Sequence, residues 1–552
     1  MAPPKLCNDF GQYYVEDLMS RTVASSGIPS DRYHLGKLIL NNLKEDPGFV
    51  LQIDGATHEE ETFGSVLERS VRCANCFTRL GLKTGDVIVL MAPNHLDITV
   101  PFYAALYVGV IAAAMDRTLT VCESLREVFY YTKPKMVFCQ AEKAEDVQQA
   151  LDELESDARI VTFDNRDGFT SFSKLLEECG ETTAKDFRAT DFDAEETTAF
   201  LVATSGTTGL PKAAAITHKN ITTILPYLWL TSTVFPTPTR LAMVFSPLQW
   251  MTAIFAFIGS PILKYTRLQS SKNIDVDHAY ELINKYRPSY AFLSPTVMTT
   301  LLNPDRRDQC DFSGFEILMV SGSAVPLVLI QQLKVTDDRE RNGVDVRNIY
   351  GLSELAGIAF YGDNPAPGSC GKPMGCYQYR LVNIETQEDI DEPNIPGELW
   401  LKGPTIFKEY YNNPQATEET FAEDRWFKTG DLFYRDDNWN FFFVERYKLL
   451  LKYKSYQISP VELENVIRQH PAVLDVAVTG IPDATSGELP VACVVRKGDV
   501  SAQEIKDLVK ENLSDAKQLR GGVLFIDELP LTPSTKIHRR KLRELALVMP
   551  RE

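Results

Sequence analysis

Short runs of apolar residues alternate along this chain with longer segments in which apolar positions recur every three or four residues. The run 86–92 is apolar from Val87 to Ala92 and short, so it predicts a buried strand; 136–139 and 160–163 predict two more. Between them, 95–114 reads as mostly helical, and 63–80 and 144–154 carry helical spacing. Strands that alternate with helices predict α/β layers with parallel sheets. Farther along, 397–402 and 439–444 read as antiparallel hairpin strands. Beyond Lys448 the pattern shifts to helix 460–470, strand 473–479, strand 491–496 and helix 502–513. That is a small α+β unit, and it places a domain boundary near Arg446–Lys448, giving 1–446 and 447–552. Two uncharged stretches, 98–115 and 241–263, are long enough to be weighed as membrane spans. Pro101 in the first and Ser246, Pro247, Gln249, Gly259 and Pro261 in the second favour buried core instead, so no integral span is expected.

Composition narrows the class of protein. The 552 residues carry 57 basic and 75 acidic side chains, a net charge of −18. A chain this acidic is a poor general binder of nucleic acid or anionic membrane, although cations converging in one cleft can still hold a polyanion. Ten cysteines over this length are too few for a disulfide scaffold. Cys73 and Cys76 form a lone CxxC with no second pair or histidine partners, so they read as helix positions, with reduced thiols and an intracellular setting as the default. The N-terminus lacks an apolar signal core and the chain ends Val-Met-Pro-Arg-Glu, without the Ser-Lys-Leu address. The expectation is a cytoplasmic protein.

Five segments carry candidate chemistry. In Phe-Leu-Val-Ala-Thr-Ser-Gly-Thr-Thr-Gly-Leu-Pro-Lys (200–212), an apolar strand runs into hydroxyls and glycines and ends on Lys212. Thr204, Ser205, Gly206, Thr207, Thr208 and Gly209 can cradle phosphate oxygens, and Lys212 adds a point charge. The Walker A spacing is absent, so this is a phosphate loop of another kind, or an ordinary Gly/Thr turn. In Asn-Ile-Tyr-Gly-Leu-Ser-Glu (348–354), Tyr350 can stack on a purine and Glu354 can hold Mg²⁺ through hard carboxylate oxygen; a turn with a solvated Glu reads equally well. Asp431, after Gly430, suits ribose hydroxyls. Arg446 and Lys448 follow in Val-Glu-Arg-Tyr-Lys (444–448). Lys536 stands in a polar loop ahead of a basic helix.

In order and spacing, these segments resemble the adenylate-forming superfamily that includes acyl-CoA synthetases, 4-coumarate–CoA ligases and beetle luciferases. The resemblance runs from about residue 35 to 545 and takes in 321–326, 397–404, 411–417 and 452–457. It implies a large N-terminal domain of two α/β subdomains and a small β-barrel subdomain, with a small mobile C-terminal α+β lid. It implies ATP, Mg²⁺ and CoA as cofactors, and a small carboxylic acid that attacks the α-phosphate before transfer to CoA. Carried over by position, the loop to Lys212 would bind the β- and γ-phosphates, with Thr208 and Glu354 on Mg²⁺. Ser353 would meet the α-phosphate. Tyr350, Gly351 and Ser323 would line the adenine side, and Asp431 and Arg446 would hold the ribose. Lys448 matches the hinge, Lys452 a lysine that serves oxidation in beetle luciferases, and Lys536 the catalytic lysine. His218, Trp250, Met251, Ser323, Gly357 and Ile358 would touch the acid. Monomer and homodimer remain equally open.

Departures from the family pattern are Ala213 and Thr535 where Gly is usual, Ser353 where Thr is commoner, and Ser455 where Gly lines the CoA passage. Thr535 does not adopt positive φ cheaply and Ser455 narrows the passage. Trp250 replaces a common His and reads as a gate or as core packing; Ile358 adds bulk to an apolar pocket. The leading expectation is an acid–CoA ligase for a fatty or aryl acid. The alternatives are a luciferase-type monooxygenase and a non-catalytic nucleotide-binding homologue.

Overall fold

Val87–Met91 is a strand because five consecutive apolar side chains find cover on both faces of a sheet; all five are buried. In the computed structural model the described residues are 7–117, 122–180, 183–204, 212–228, 241–303, 306–325, 344–362, 366–454, 456–483, 485–532 and 536–552. Val87–Met91 lies inside an eight-stranded sheet. Its strand order is Glu409–Tyr410, Lys212–Thr217, Thr198–Thr204, Ile111–Ala114, Val87–Met91, Met136–Cys139, Arg159–Thr162 and Thr170–Ser171. A seven-stranded sheet follows, in the order Asp345–Asn348, Ile317–Val320, Tyr290–Leu293, Leu241–Val244, Thr266–Gln269, Val50–Asp54 and Glu60–Thr62.

Both sheets have the expected parallel core and turn antiparallel at their edges. The first turns antiparallel where Thr198–Thr204 doubles back into Lys212–Thr217, and the second where Val50–Asp54 meets Glu60–Thr62. The reading of 95–114 as mostly helical holds from Leu96 to Val108 and fails beyond it. The helix there is Thr99–Val108; Gly109 takes φ 76° and ends it, and Ile111–Ala114 becomes a central strand between Val87–Met91 and Thr198–Thr204. The uncharged stretch 241–263 divides into the strand Leu241–Val244 and the helix Met251–Leu263, which is almost wholly buried. Among the described residues no helix is long and apolar enough to cross a membrane.

Two antiparallel sheets stand where the small barrel is expected. One orders Gln378–Val382, Gly397–Lys402, Phe427–Arg435 and Phe441–Arg446; the other orders Tyr350–Leu352, Gly357–Tyr361 and Lys372–Pro373. Both segments read as antiparallel strands are so: Gly397–Lys402 and Phe441–Arg446 each pair antiparallel with Phe427–Arg435, which lies between them. Phe360 of the smaller sheet stacks on Phe441 of the larger at 4.6 Å between ring centres, so the two share one apolar seam. After the turn Tyr447–Leu449, a five-stranded sheet gathers Tyr456–Ile458, Leu451–Tyr453, Gly487–Arg496 and Val473–Asp483, with Gly522–Phe525 on Gly487–Arg496. The helices Pro460–Ile467, Ala502–Asn512 and Arg539–Val548 cover it. The fold is thus a large N-terminal body with mixed sheets and a small C-terminal domain.

The thiols are not uniformly reduced as expected. Cys76 and Cys179 form a disulfide across 103 residues, with Cα atoms 5.4 Å apart. Cys73 remains free and buried in the helix Phe63–Arg79.

Candidate active site

The nucleotide side of the candidate site grows from strand register. Asp431 and Arg446 lie directly opposite each other on neighbouring antiparallel strands, a spacing that lets side chains on one face meet. Arg446 Nε donates to Asp431 Oδ1 at 2.9 Å and Nη2 to Oδ2 at 3.5 Å; the Tyr350 hydroxyl donates to Oδ2 at 2.7 Å. A carboxylate has room for about four such bonds, so Asp431 keeps capacity for a further hydroxyl. Asp431 is 2% exposed and Tyr350 8%. Burial, then Asp431, pushes the Tyr350 phenol well above its ordinary value, and Asp431 holds Arg446 firmly charged. Phe433 meets the Tyr350 ring edge-on at 4.7 Å.

A second chain of contacts joins segments far apart in sequence. Thr204 and Lys212, on either side of the undescribed residues 205–211, form a cross-strand pair. Lys212 Nζ lies 4.9 Å from the centre of the Tyr410 ring, and the Tyr410 hydroxyl donates to Glu354 Oε1 at 2.8 Å. Burial and then Glu354 push the Tyr410 phenol upward. Glu354 sits in the turn Ser353–Leu355 behind Gly351, with Ser353 half-buried beside it. A side chain at Gly351 would meet the Gly357 carbonyl oxygen at 2.2 Å, so only glycine lets these strands close.

The C-terminal domain supplies the third element. Lys536 Cε faces Gly322, 3.9 Å from where a Cβ would stand; Gly322 has φ 100°. Lys536 is exposed where it faces Gly322. Burial, then the Arg446 guanidinium, lowers its ammonium pKa, while Glu354 and Asp431 pull the other way. Four groups expected from the sequence, Glu354, Asp431, Arg446 and Lys536, therefore feel one another's charge.

Comparison with known proteins shows the family. The family model of the AMP-binding enzyme matches residues 41–411, and that of the AMP-binding enzyme C-terminal domain matches 462–536. The chain belongs to the AMP-binding enzymes of the adenylate-forming superfamily. It is 30% identical to the luciferin 4-monooxygenase of Nipponoluciola cruciata, covering 90% of this chain and 91% of that one. It is 29% identical to a probable CoA ligase of Humulus lupulus, covering 90% of each. The ATP-bound MatB of Rhodopseudomonas palustris superposes with a TM-score of 0.81 at 22% identity, over 92% of this chain and 98% of that one.

The remaining candidates of this AMP-binding enzyme are scattered. Ser205, Gly206, Thr207, Thr208 and Gly209, with Ser455 and Thr535, lie outside the described residues. Ser323 is exposed beside Gly322. Trp250 is half-buried ahead of the helix Met251–Leu263; its indole N–H is buried and finds no acceptor among the described residues. Met251 and Ile358 are buried. A Cβ at Gly357 would stand 3.0 Å from Ile224 and 3.1 Å from Phe255. Lys448 and Lys452 are exposed, and neither side chain joins the cluster.

His218 needs correction as a substrate contact. Its ring is fully buried, 5.0 Å from Phe192 and 5.5 Å from His34 between ring centres, and burial pushes its pKa well down. No surface is left for an acid to touch. Tyr410, by contrast, went unsuspected, because nothing in Glu-Tyr-Tyr at 409–411 marks the first tyrosine as the link from Lys212 to Glu354.

Proposed function

We propose that this adenylate-forming enzyme is an ATP-dependent ligase that joins a fatty or aryl carboxylic acid to CoA. The observation that supports it most is the approach of Lys536, from the C-terminal domain, to Gly322, Arg446, Glu354 and Asp431 of the body. In the first step a carboxylate oxygen of the acid attacks the α-phosphorus of ATP. The bond to the bridging oxygen breaks and pyrophosphate leaves. Two anions meet in that step, so positive charge at fixed positions lowers the barrier. Lys536 and the Ser353 hydroxyl would face the α-phosphate, and Asp431 and Arg446 the ribose. Lys212, with Thr204 and the loop 205–209, would hold the outer phosphates, and Tyr350, Gly351 and Ser323 would frame the adenine.

Glu354 fits a magnesium ion: it is a hard carboxylate with one oxygen engaged by Tyr410 and a second oxygen that could meet the ion. Among the described residues no group of three or more His, Cys, Asp or Glu side chains could hold a metal ion by itself. When bound, Mg²⁺ neutralises phosphate charge; Thr208 would be its second protein contact.

In the second step the CoA sulfur attacks the acyl carbonyl carbon, AMP leaves, and the thiol proton goes to solvent. For this step residues 447–552 would serve as a lid that swings about Lys448, while Trp250, Met251, Gly357 and Ile358 would bound the acid. A luciferase-type oxidation after adenylation is the second reading, favoured by the likeness to luciferin 4-monooxygenases and by Lys452. The test is a panel of fatty, aryl and luciferin-like acids with ATP and Mg²⁺, scored for AMP with and without CoA. CoA-dependent AMP release supports the ligase; light without CoA supports the second reading; no AMP with any acid contradicts both.

A further inference from the structure

The C-terminal domain holds the body at a second place, away from Lys536. Glu445 is the penultimate residue of the strand Phe441–Arg446 and is 2% exposed. Its Oε1 accepts from the Arg446 backbone N–H at 2.8 Å. Its Oε2 accepts from the Val461 backbone N–H at 3.2 Å and the Ser459 hydroxyl at 3.5 Å. The same hydroxyl donates to the Val444 carbonyl at 3.1 Å. Ser459 and Val461 open the helix Pro460–Ile467, so the body grips the first turn of a lid helix.

Arg539 and Glu464 also face Glu445. Arg539 donates to Glu464 Oε1 at 2.8 Å and to the Val478 carbonyl at 2.7 Å. Arg468 lies 3.9 Å from Glu464 and pairs with Asp475 at 3.0 Å. Arg539 stands three residues after Lys536, at the start of the helix Arg539–Val548. The loop between is tied by the Thr532 N–H to the Lys536 carbonyl and by the His538 N–H to the Pro530 carbonyl, both 2.7 Å. A short and largely fixed path therefore links Glu445 to Lys536.

We propose that Glu445 is a positioning residue that seats the lid in the orientation bringing Lys536 to Gly322. The assignment rests on the adenylating role of Lys536. It carries a pH signature. Burial pushes the Glu445 carboxyl up to about 7, with Glu464 adding to the rise and Arg539 opposing it. With the lid swung away, Ser459, Val461, Arg539 and Glu464 leave and the carboxyl returns toward 4.5. Seating the lid then takes up a proton: the seated orientation gains as pH falls from about 7 and loses that gain as pH rises through it.

The test labels body and lid and follows their separation against pH in the full chain, without substrate. The wild type should open as pH rises through about 7, and Glu445→Gln, which does not ionise, should give a flat profile. Glu445→Ala, which lacks the acceptor, should lower ATP–pyrophosphate exchange about tenfold and leave thioester formation from a synthetic acyl adenylate unchanged. Equal losses in both half-reactions, or a Glu445→Gln profile that moves like the wild type, would overturn the assignment. If the wild type adenylates no acid, the functional reading fails, while the separation measurement still decides the role of Glu445.

Discussion

The body and the lid contribute to one cleft by different physical means. Asp431, Arg446 and Tyr350 are set by strand register and closed over by aromatic rings, so their arrangement is complete before any ligand arrives. Lys536 comes from a loop on another sheet, stays in contact with water, and meets the body at Gly322. Preorganised groups suit binding, whereas a group delivered by a separate domain suits a step that must be switched on and off. Under the proposed function, nucleotide binding would fall to the body and the adenylation step to the lid.

The strongest blow to the body half is Asp431→Ala. It leaves the Arg446 guanidinium and the Tyr350 hydroxyl partly buried without their acceptor, which should cost on the order of 3 kcal/mol in nucleotide affinity or stability. Calorimetric titration with ATP and thermal unfolding check it; unchanged affinity and unchanged unfolding would place the ribose elsewhere. Tyr410→Phe tests the link from Lys212 to Glu354. Loss of one hydrogen bond to a carboxylate should raise the Mg²⁺-dependent KM for ATP about five- to tenfold with the fold intact. Trp250→Phe should change least for the nucleotide. It should leave KM for ATP unmoved and shift the preference among acids by about 1 kcal/mol, read as ratios of kcat/KM across chain lengths. If it changes KM for ATP, Trp250 belongs to the other side of the site.

The sequence and the structure agree where local pattern and local structure coincide. The strand Thr198–Thr204 and the buried runs at 87–91 and 136–139 were legible, as were four groups, Glu354, Asp431, Arg446 and Lys536, that the structure brings near one another. What was missed depended on contacts across the chain. Ile-Ala-Ala-Ala at 111–114 has no strand signature of its own and becomes one through its two parallel neighbours. The Phe427–Arg435 strand that joins Gly397–Lys402 to Phe441–Arg446 was not read as a strand, because register over that distance is not written in periodicity. His218 sits beside the loop in sequence but is buried among aromatic rings, and Tyr410 reaches Glu354 only because its strand joins the edge of the first sheet. The Cys76–Cys179 pair is likewise a product of helix packing, not spacing.

The division between a binding body and a catalytic lid is tested most directly by Lys536→Ala, with ATP binding and ATP–pyrophosphate exchange measured on the same preparation. The expected result is exchange reduced by about 10² to 10³ while ATP affinity stays within about twofold of the wild type. Exchange at the wild-type rate, or equal loss of both, would contradict it.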